Sequence, residues 1–200
     1  ESFRVLGFTA GGGEAWVLSD SKGGVSAFEW SQDGQKIAYL AREPKSDDRR
    51  KKEKDKDDAW TPSSMYPWNR LWALDVPTRK ATQLTSGETH VTGFSLSPDG
   101  KQAVFAAQPT PLIPDQFNSD LYLISTAGGR PAPLVKRKGS DNSPSWSPDG
   151  RLIAFVSQDA KSTEWYTNNF LCVVAPSGGT VTNLTEGFDE RIGGDLTWSP

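Results

Sequence analysis

A turn motif that recurs along the chain constrains its fold more than any other feature. Three complete copies and the start of a fourth occur: WSQDG at 30–34, LSPDG at 96–100, WSPDG at 146–150 and WSP at 198–200. In Ser-Pro-Asp-Gly, Pro presets φ at the second turn position, Asp bonds to nearby backbone and Gly accepts a positive φ. Each copy therefore predicts a hairpin turn, and the repetition predicts a repeat fold.

Two further landmarks keep the same spacing. An apolar segment begins at intervals of 50 residues, at Leu71, Leu121 and Leu171. A second landmark follows each of these by 13 residues, at Leu84, Leu134 and Leu184. A period of about 50 residues that holds four short segments is typical of the blades of a β-propeller.

The segments differ according to their place in the repeat. The one after each turn is a continuous apolar run, at 37–40, 103–107 and 152–156, as expected for a strand buried on both faces. The fourth segment, around 82–85 and 180–185, mixes in Thr, Gln and Asn, which suits an outer edge. One repeat is therefore predicted to be four antiparallel strands, ordered from innermost to outermost.

We predict an all-β fold, a β-propeller segment with three complete blades and a partial blade at each end. The predicted units are a partial blade at 3–19, complete blades at 25–85, 91–135 and 142–185, and an opening strand at 196–200. Aromatic residues before the turns are expected to pack between blades, namely Trp30, Trp146 and Trp198. Because open propeller edges expose unpaired backbone, we expect the segment to be a piece of a larger ring.

A charged insertion interrupts the first complete blade. The first turn precedes the second by 66 residues, against 50 for the next interval, and the excess falls on 45–58. That stretch holds seven Lys or Arg and six Asp or Glu, so it is expected to be a solvated, mobile loop of mixed charge. The alternative is a contact to another domain or subunit. The aromatics that follow at Trp60, Tyr66 and Trp68 are interface candidates.

Composition excludes several classes of function. A formal net charge of -3 argues against a nucleic-acid partner, and no apolar run approaches the ~20 residues of a membrane helix. The single cysteine, Cys172, and the single histidine, His90, exclude an internal disulfide and a Cys/His zinc site. We expect no metal and no cofactor, and the compartment stays open between cytoplasmic and periplasmic or secreted.

The segment is expected to carry no catalytic residues. A Gly-x-Ser-x-Gly nucleophile elbow does not occur, and His90 is expected to pack in a turn rather than act as a base. Gly128-Gly129 and Gly178-Gly179 fall at equivalent outer hairpin turns with no helix after them, so they are not phosphate cradles.

The repeats resemble the N-terminal propeller of prolyl oligopeptidase-family serine peptidases, in particular the acylaminoacyl-peptidase and dipeptidyl-peptidase-like branch. The resemblance spans nearly the whole chain. It rests on the blade signature WSPDGRLIAF at 146–155, the charged insertion after YLAR at 39–42, SDLY at 119–122 with DNSP at 141–144, and EWY at 164–166 with LTEGFD at 184–189. The blade signature alone also occurs in TolB-like and other bacterial propellers.

The resemblance implies a parent enzyme, a serine exopeptidase or oligopeptidase. Its C-terminal α/β-hydrolase domain, which holds the catalytic Ser, His and Asp, is absent from this segment. It also implies that the propeller caps and gates the active site and helps to bind the N-terminus of a peptide substrate. Carboxylates suit a desolvated ammonium group. The candidates are therefore Glu164, Asp189 and Glu190, with Trp165, Tyr166 and Arg191 as neighbours.

Two alternatives stay open. The candidate residues could be ordinary exposed loop residues, which any propeller carries. The chain could also be a TolB-like scaffold that docks partner proteins and has no hydrolase domain. Either protein could form a homo-oligomer. A Gly-x-Ser-x-Gly motif downstream would favour the peptidase, whereas an upstream α/β domain would favour the scaffold.

Overall fold

The structure is a computed structural model that describes residues 5–7, 16–18, 21–57, 66–158 and 168–199. A two-stranded sheet comes first, formed by β1 (Leu6–Gly7) and β2 (Trp16–Val17). Three four-stranded antiparallel sheets follow, and in each the strands pair in the order of the sequence. The predicted architecture of four-stranded antiparallel blades is therefore confirmed.

The strands of the three sheets have the following bounds. Blade 1 contains β3 (Val25–Trp30), β4 (Lys36–Arg42), β5 (Asn69–Asp75) and β6 (Lys80–Gln83). Blade 2 contains β7 (His90–Leu96), β8 (Gln102–Gln108), β9 (Asp120–Ser125) and β10 (Ala132–Val135). Blade 3 contains β11 (Asp141–Trp146), β12 (Ile153–Ser157), β13 (Phe170–Val174) and β14 (Thr182–Asn183).

The repeated turn is held by the same hydrogen bonds in each blade. In blade 1, the Ser31 hydroxyl donates to Asp33 Oδ1 over 2.6 Å and accepts from the Lys36 backbone N–H over 2.9 Å. The serines of the other two turns make the same pair of bonds. Gly34 ends the turn with φ of 67°, a left-handed conformation that glycine adopts without steric cost. The motif therefore determines the first hairpin of every blade.

Hydrophobic packing joins each blade to the next. Phe105 of β8 is fully buried between blades 1 and 2 and stacks on Tyr122, with ring centroids 5.5 Å apart. Phe155 of β12 occupies the equivalent position between blades 2 and 3, where Trp146 is also buried. Second strands are buried along almost their whole length, whereas β6 of blade 1 is mostly exposed. The expected burial gradient from inner strands to outer edge is thus present.

Because consecutive strands are antiparallel, the connections divide between two faces of the propeller. The turn face carries the connections from first to second and from third to fourth strands. It includes the three repeated turns and the Gly128-Gly129 and Gly178-Gly179 hairpins. The loop face carries the connections from second to third strands and from one blade to the next, whose described residues are 43–57, 66–68, 84–89, 109–119, 136–140, 158, 168–169 and 184–191.

Part of the charged insertion is helical, so the expectation of an irregular loop at 45–58 is wrong for α1 (Asp47–Asp55). Ser46 caps the helix by accepting a hydrogen bond from the Arg49 backbone N–H, and Lys56 ends it at φ of 55°. Arg49 and Glu53, four residues apart, form an ion pair of 3.4 Å. Capping and charge spacing stabilise a helix that buries none of its residues.

Two other expectations differ from the structure. Trp146 packs between blades as predicted, but Trp30 is 45% exposed, although its cross-strand partner Ile37 is buried in the cluster with Val5 and Leu18. The opening strand expected at 196–200 is not in a β-ladder over 196–199, its described part. The Trp198 indole instead donates to the Ser145 carbonyl over 3.3 Å.

Candidate functional site

The loop face brings together most of the buried charge of the described residues. Arg70, at the start of β5, is 4% exposed, and its Nε lies 2.6 Å from Glu43 Oε1. The Arg70 guanidinium also donates to the Thr89 carbonyl over 2.6 Å and lies 4.8 Å from the centroid of the Trp68 ring. The Thr89 bond ties the start of β5 to the connection between blades 1 and 2, and the ion pair and the cation–π contact hold Glu43 and Trp68 to the same arginine.

His90 lies beside this cluster. Its Nδ1 accepts the Asn69 backbone N–H over 3.2 Å, so the neutral ring carries its proton on Nε2. Burial, and then the charge of Arg70, lower the pKa of His90 to about 4. A neutral ring that accepts a backbone hydrogen bond and contacts Trp68 fits the predicted packing role.

A cleft opens on the loop face at the junction of blades 1 and 2, and we call it the blade-2 cleft. Its volume is about 610 Å³. The floor is apolar and includes the stacked rings of Phe105 and Tyr122. The walls come from two interblade connections, 88–89 and 136–139, together with the start of β9.

Asp120 is the half-buried carboxylate of this cleft. One oxygen accepts the Arg137 backbone N–H over 3.3 Å. Burial raises the pKa of Asp120, and this outweighs the opposite effects of the Arg137 backbone hydrogen bond, the Lys136 charge and the Tyr122 side chain. A carboxylate whose charge is incompletely compensated is available to a cationic ligand group.

Behind the cleft, Asp141 is buried at 1% exposure and holds the connection between blades 2 and 3. Its Oδ1 accepts from the Ser157 hydroxyl over 2.5 Å and lies 3.4 Å from Arg137 Nη2. Arg137 also donates to the Ser157 hydroxyl over 2.7 Å. Burial raises the pKa of Asp141 although Ser157 and Arg137 favour its ionised form. This network fixes the backbone that lines one wall of the cleft.

Of the substrate-binding residues predicted from the sequence, Asp189, Glu190 and Arg191 are exposed in the connection after β14. The Asn168 side chain donates to the Asp189 carbonyl over 3.0 Å, which holds this connection against the start of β13. Arg191 lines a smaller pocket of about 330 Å³ on the loop face, together with Asn142. Glu164, Trp165 and Tyr166 lie outside the described residues.

Sequence reasoning missed the blade-2 cleft. The segments 119–122 and 141–144 supported the resemblance but were not proposed as site residues. Asp120 begins β9 and Asp141 begins β11, and a polar residue at the start of a strand does not by itself indicate a site. Among the described residues, no cluster of potential ligands could hold a metal ion, and no helix has the length and hydropathy needed to cross a membrane.

Comparison with known proteins begins with sequence, where no family model matches the chain. An uncharacterized peptidase, YuxL of Bacillus subtilis, is 28% identical over 97 residues, which are 48% of this chain and 14% of that protein. Dipeptidyl-peptidase 5 of Porphyromonas gingivalis is 28% identical over 76 residues, which are 38% of this chain and 11% of that protein. The match therefore spans a small part of both curated relatives.

Solved structures share the fold. A TolB candidate from Agrobacterium tumefaciens superimposes with a TM-score of 0.61 at 19% identity, covering 90% of this chain and 56% of that one. Puromycin hydrolase superimposes with a TM-score of 0.60 at 20% identity, covering 90% of this chain and 27% of that one. A prolyl endopeptidase superimposes with a TM-score of 0.58 at 17% identity, covering 86% of this chain and 24% of that one. With the curated peptidases, these matches confirm the resemblance: the chain is a β-propeller segment similar to those of prolyl oligopeptidase-family peptidases.

Proposed function

We propose that this segment belongs to the propeller of a peptide-cleaving serine hydrolase, and that its loop face caps and gates the active site. The observation that carries the proposal is the difference between the two faces. The three repeated turns have the same length and the same hydrogen bonds, whereas the loop face holds the helical insertion and the buried ion pairs. Long and varied loops on a rigid scaffold are where binding and catalytic residues concentrate.

The second part of the proposal concerns the substrate. The carboxylates of Glu164, Asp189 and Glu190 bind the N-terminal ammonium of a peptide, with Trp165, Tyr166 and Arg191 beside them. Exposure of Asp189 and Glu190 on the loop face supports this assignment, because both are accessible to a ligand from that side. The catalytic Ser, His and Asp belong to an α/β-hydrolase domain of the same parent protein, as in the peptidases that the chain resembles.

Substitution in the complete protein tests the binding residues. Glu164→Gln and Glu190→Gln remove the negative charge with little change of shape. We expect the KM for peptides with a free N-terminus to rise, and the KM for N-acetylated peptides to stay constant. Glu186→Gln, a nearby exposed glutamate, is the matched control. An unchanged KM for free peptides in the double variant would overturn the assignment.

Gating has its own test, which uses substrate size. The complete protein should cleave short peptides and spare a folded protein that displays the same residues on its surface. Equal cleavage of both would contradict gating. The full reading frame tests the peptidase assignment: a Gly-x-Ser-x-Gly motif downstream supports it. A scaffold that carries an α/β domain before the propeller and no hydrolase domain after it would refute it.

A further inference from the structure

We propose that the blade-2 cleft binds a short peptide whose amino and carboxyl termini are both free. The cleft volume of about 610 Å³ falls within the range of roughly 300–1,000 Å³ that small-ligand sites occupy. Because its walls come from the connections at both ends of blade 2, the cleft is bounded on two sides and is open toward the loop face.

The floor of the cleft suits an apolar side chain. Phe105 and Tyr122 stack at 22° between their ring planes, and Ala107, Pro109 and Pro131 extend the same surface. Tyr122 is half-buried and lines the cleft, and its hydroxyl interacts with the Asp120 carboxylate. An aliphatic or aromatic side chain that covers these rings would bury apolar area on both partners.

Charges of both signs line the rim. Asp120 and Glu88 supply carboxylates, and Lys136 and Lys138 supply ammonium groups. Within the described part of the chain, Glu88, Lys136 and Lys138 form no ion pair, and Asp120 lies beyond ion-pair distance of any cation. A bound ligand can therefore pair with groups of both signs.

The balance of charge decides the class of ligand. Because Asp141 pairs with Arg137, the remaining lining groups are two anions and two cations. A polyanion would meet Asp120 and Glu88, and a polycation would meet the two lysines, so each would be repelled by half of the rim. A zwitterion with an apolar body satisfies both halves. A dipeptide or tripeptide has this chemistry and this size.

The cleft is separate from the residues proposed above to bind the N-terminus of the substrate. In the chain, 164–166 lie between β12 and β13 and 189–191 lie after β14, whereas the cleft belongs to the junction of blades 1 and 2. The inference thus goes beyond the proposed function, since it adds a second peptide site on the same face. It does not require the bound peptide to be cleaved.

Calorimetric titration of the complete protein with Leu-Phe tests the inference. The peptide bond is N-methylated to resist hydrolysis, and versions capped by N-acetylation or C-amidation are compared with the free form. Because hydrogen bonds to charged groups are involved, we expect each cap, Asp120→Asn and the pair Lys136→Gln with Lys138→Gln to weaken binding by about 10- to 100-fold. Lys101→Gln, on the turn face, should leave binding unchanged.

Three results would overturn the inference: no binding of free Leu-Phe at millimolar concentration, equal binding of the capped forms, or unchanged binding in Asp120→Asn. Far-ultraviolet circular dichroism of each variant guards against a folding defect. Hydrolysis of peptides by the same variants separates the two proposals. Loss of Leu-Phe binding with unchanged hydrolysis supports an independent cleft, and failure at the cleft leaves the test of Glu164 and Glu190 unaffected.

Discussion

Alanine substitution of the last glycine in the repeated turn separates the cost of backbone conformation from the cost of blade packing. Gly34, Gly100 and Gly150 occupy the same position, with φ of 67°, 65° and 70°. A residue with a Cβ in this left-handed region loses about 1–2 kcal/mol relative to glycine. Conformation alone therefore predicts an equal loss of stability at the three positions.

Packing predicts a difference. A Cβ built on Gly34 meets no heavy atom within 4 Å, and one built on Gly150 lies 3.7 Å from Pro98, an ordinary contact. A Cβ built on Gly100 lies 3.0 Å from Ser31 Cβ of the preceding blade. Ser31 cannot retreat without stretching its bonds to Asp33 and Lys36. Overpacking of this kind adds about 1–3 kcal/mol to the loss at Gly100.

The assay is urea unfolding of the complete protein, followed by far-ultraviolet circular dichroism. We expect Gly34→Ala and Gly150→Ala to lower the midpoint by similar amounts. Gly100→Ala should lower it further, by about 1 M for an extra loss of about 2 kcal/mol and a typical dependence on urea. Equal midpoints for the three variants would refute the packing argument. A larger loss at Gly34 would refute the assumed equivalence of the turns.

Three more predictions follow from burial and charge. Phe105→Ala should lower the free energy of unfolding by about 3–5 kcal/mol because the ring is fully buried, whereas Phe28→Ala, at a 55% exposed position, should lower it by about 1 kcal/mol or less. Similar losses in urea unfolding would contradict the assigned core. His90 should titrate near pH 4 by NMR. The unfolded chain binds this proton below about pH 6.5, so the free energy of unfolding should fall as pH drops from 6.5 toward 4. Titration near pH 6.5 would disprove its burial. Ser46→Ala should destabilise α1 by about 1 kcal/mol and reduce the ellipticity at 222 nm, while the urea midpoint of the sheets stays the same. Unchanged ellipticity would exclude the cap.

The strands could be predicted because the repeated turn motif makes the same local hydrogen bonds in each blade. Ser31, Ser97 and Ser147 each bond to an aspartate two residues later and to a backbone N–H five residues later. Such short-range bonds depend on local sequence alone, so the motif is sufficient to locate each hairpin. The continuous apolar run that follows then determines which strand is buried between blades.

The helix in the insertion could not be predicted from net composition. Counting seven cations against six anions indicates a solvated segment, which is correct for its side chains but carries no information about backbone conformation. The order of the charges carries that information, since Asp48 and Lys52 lie one helical turn apart. Ser46 is the N-cap of this helix, and the two acidic residues that follow it stand in the first turn.

The blade-2 cleft was beyond sequence reasoning for a different reason. Its walls come from 88–89 and 136–139, which are separated in the chain by the whole of blade 2. Only the register of the strands shows that both connections lie on the same face and beside Asp120. A polar residue at the start of a strand is common, so Asp120 gives no signal until its burial is known.

The ionisation of the aspartates distinguishes the two faces physically. Hydrogen bonds from Ser or Thr side chains lower the pKa of Asp33, Asp75, Asp99 and Asp149, all on the turn face. Their ionised forms stabilise the fold above the unfolded pKa, and this is lost as pH falls through the folded pKa. Burial raises the pKa of Asp120 and Asp141 on the loop face. Their contribution is present below the unfolded pKa and lost as pH rises through the folded pKa, so ionisation at neutral pH costs stability. Among these aspartates, the two that are costly to ionise lie on the loop face beside the blade-2 cleft, where a cationic ligand group would offset that cost.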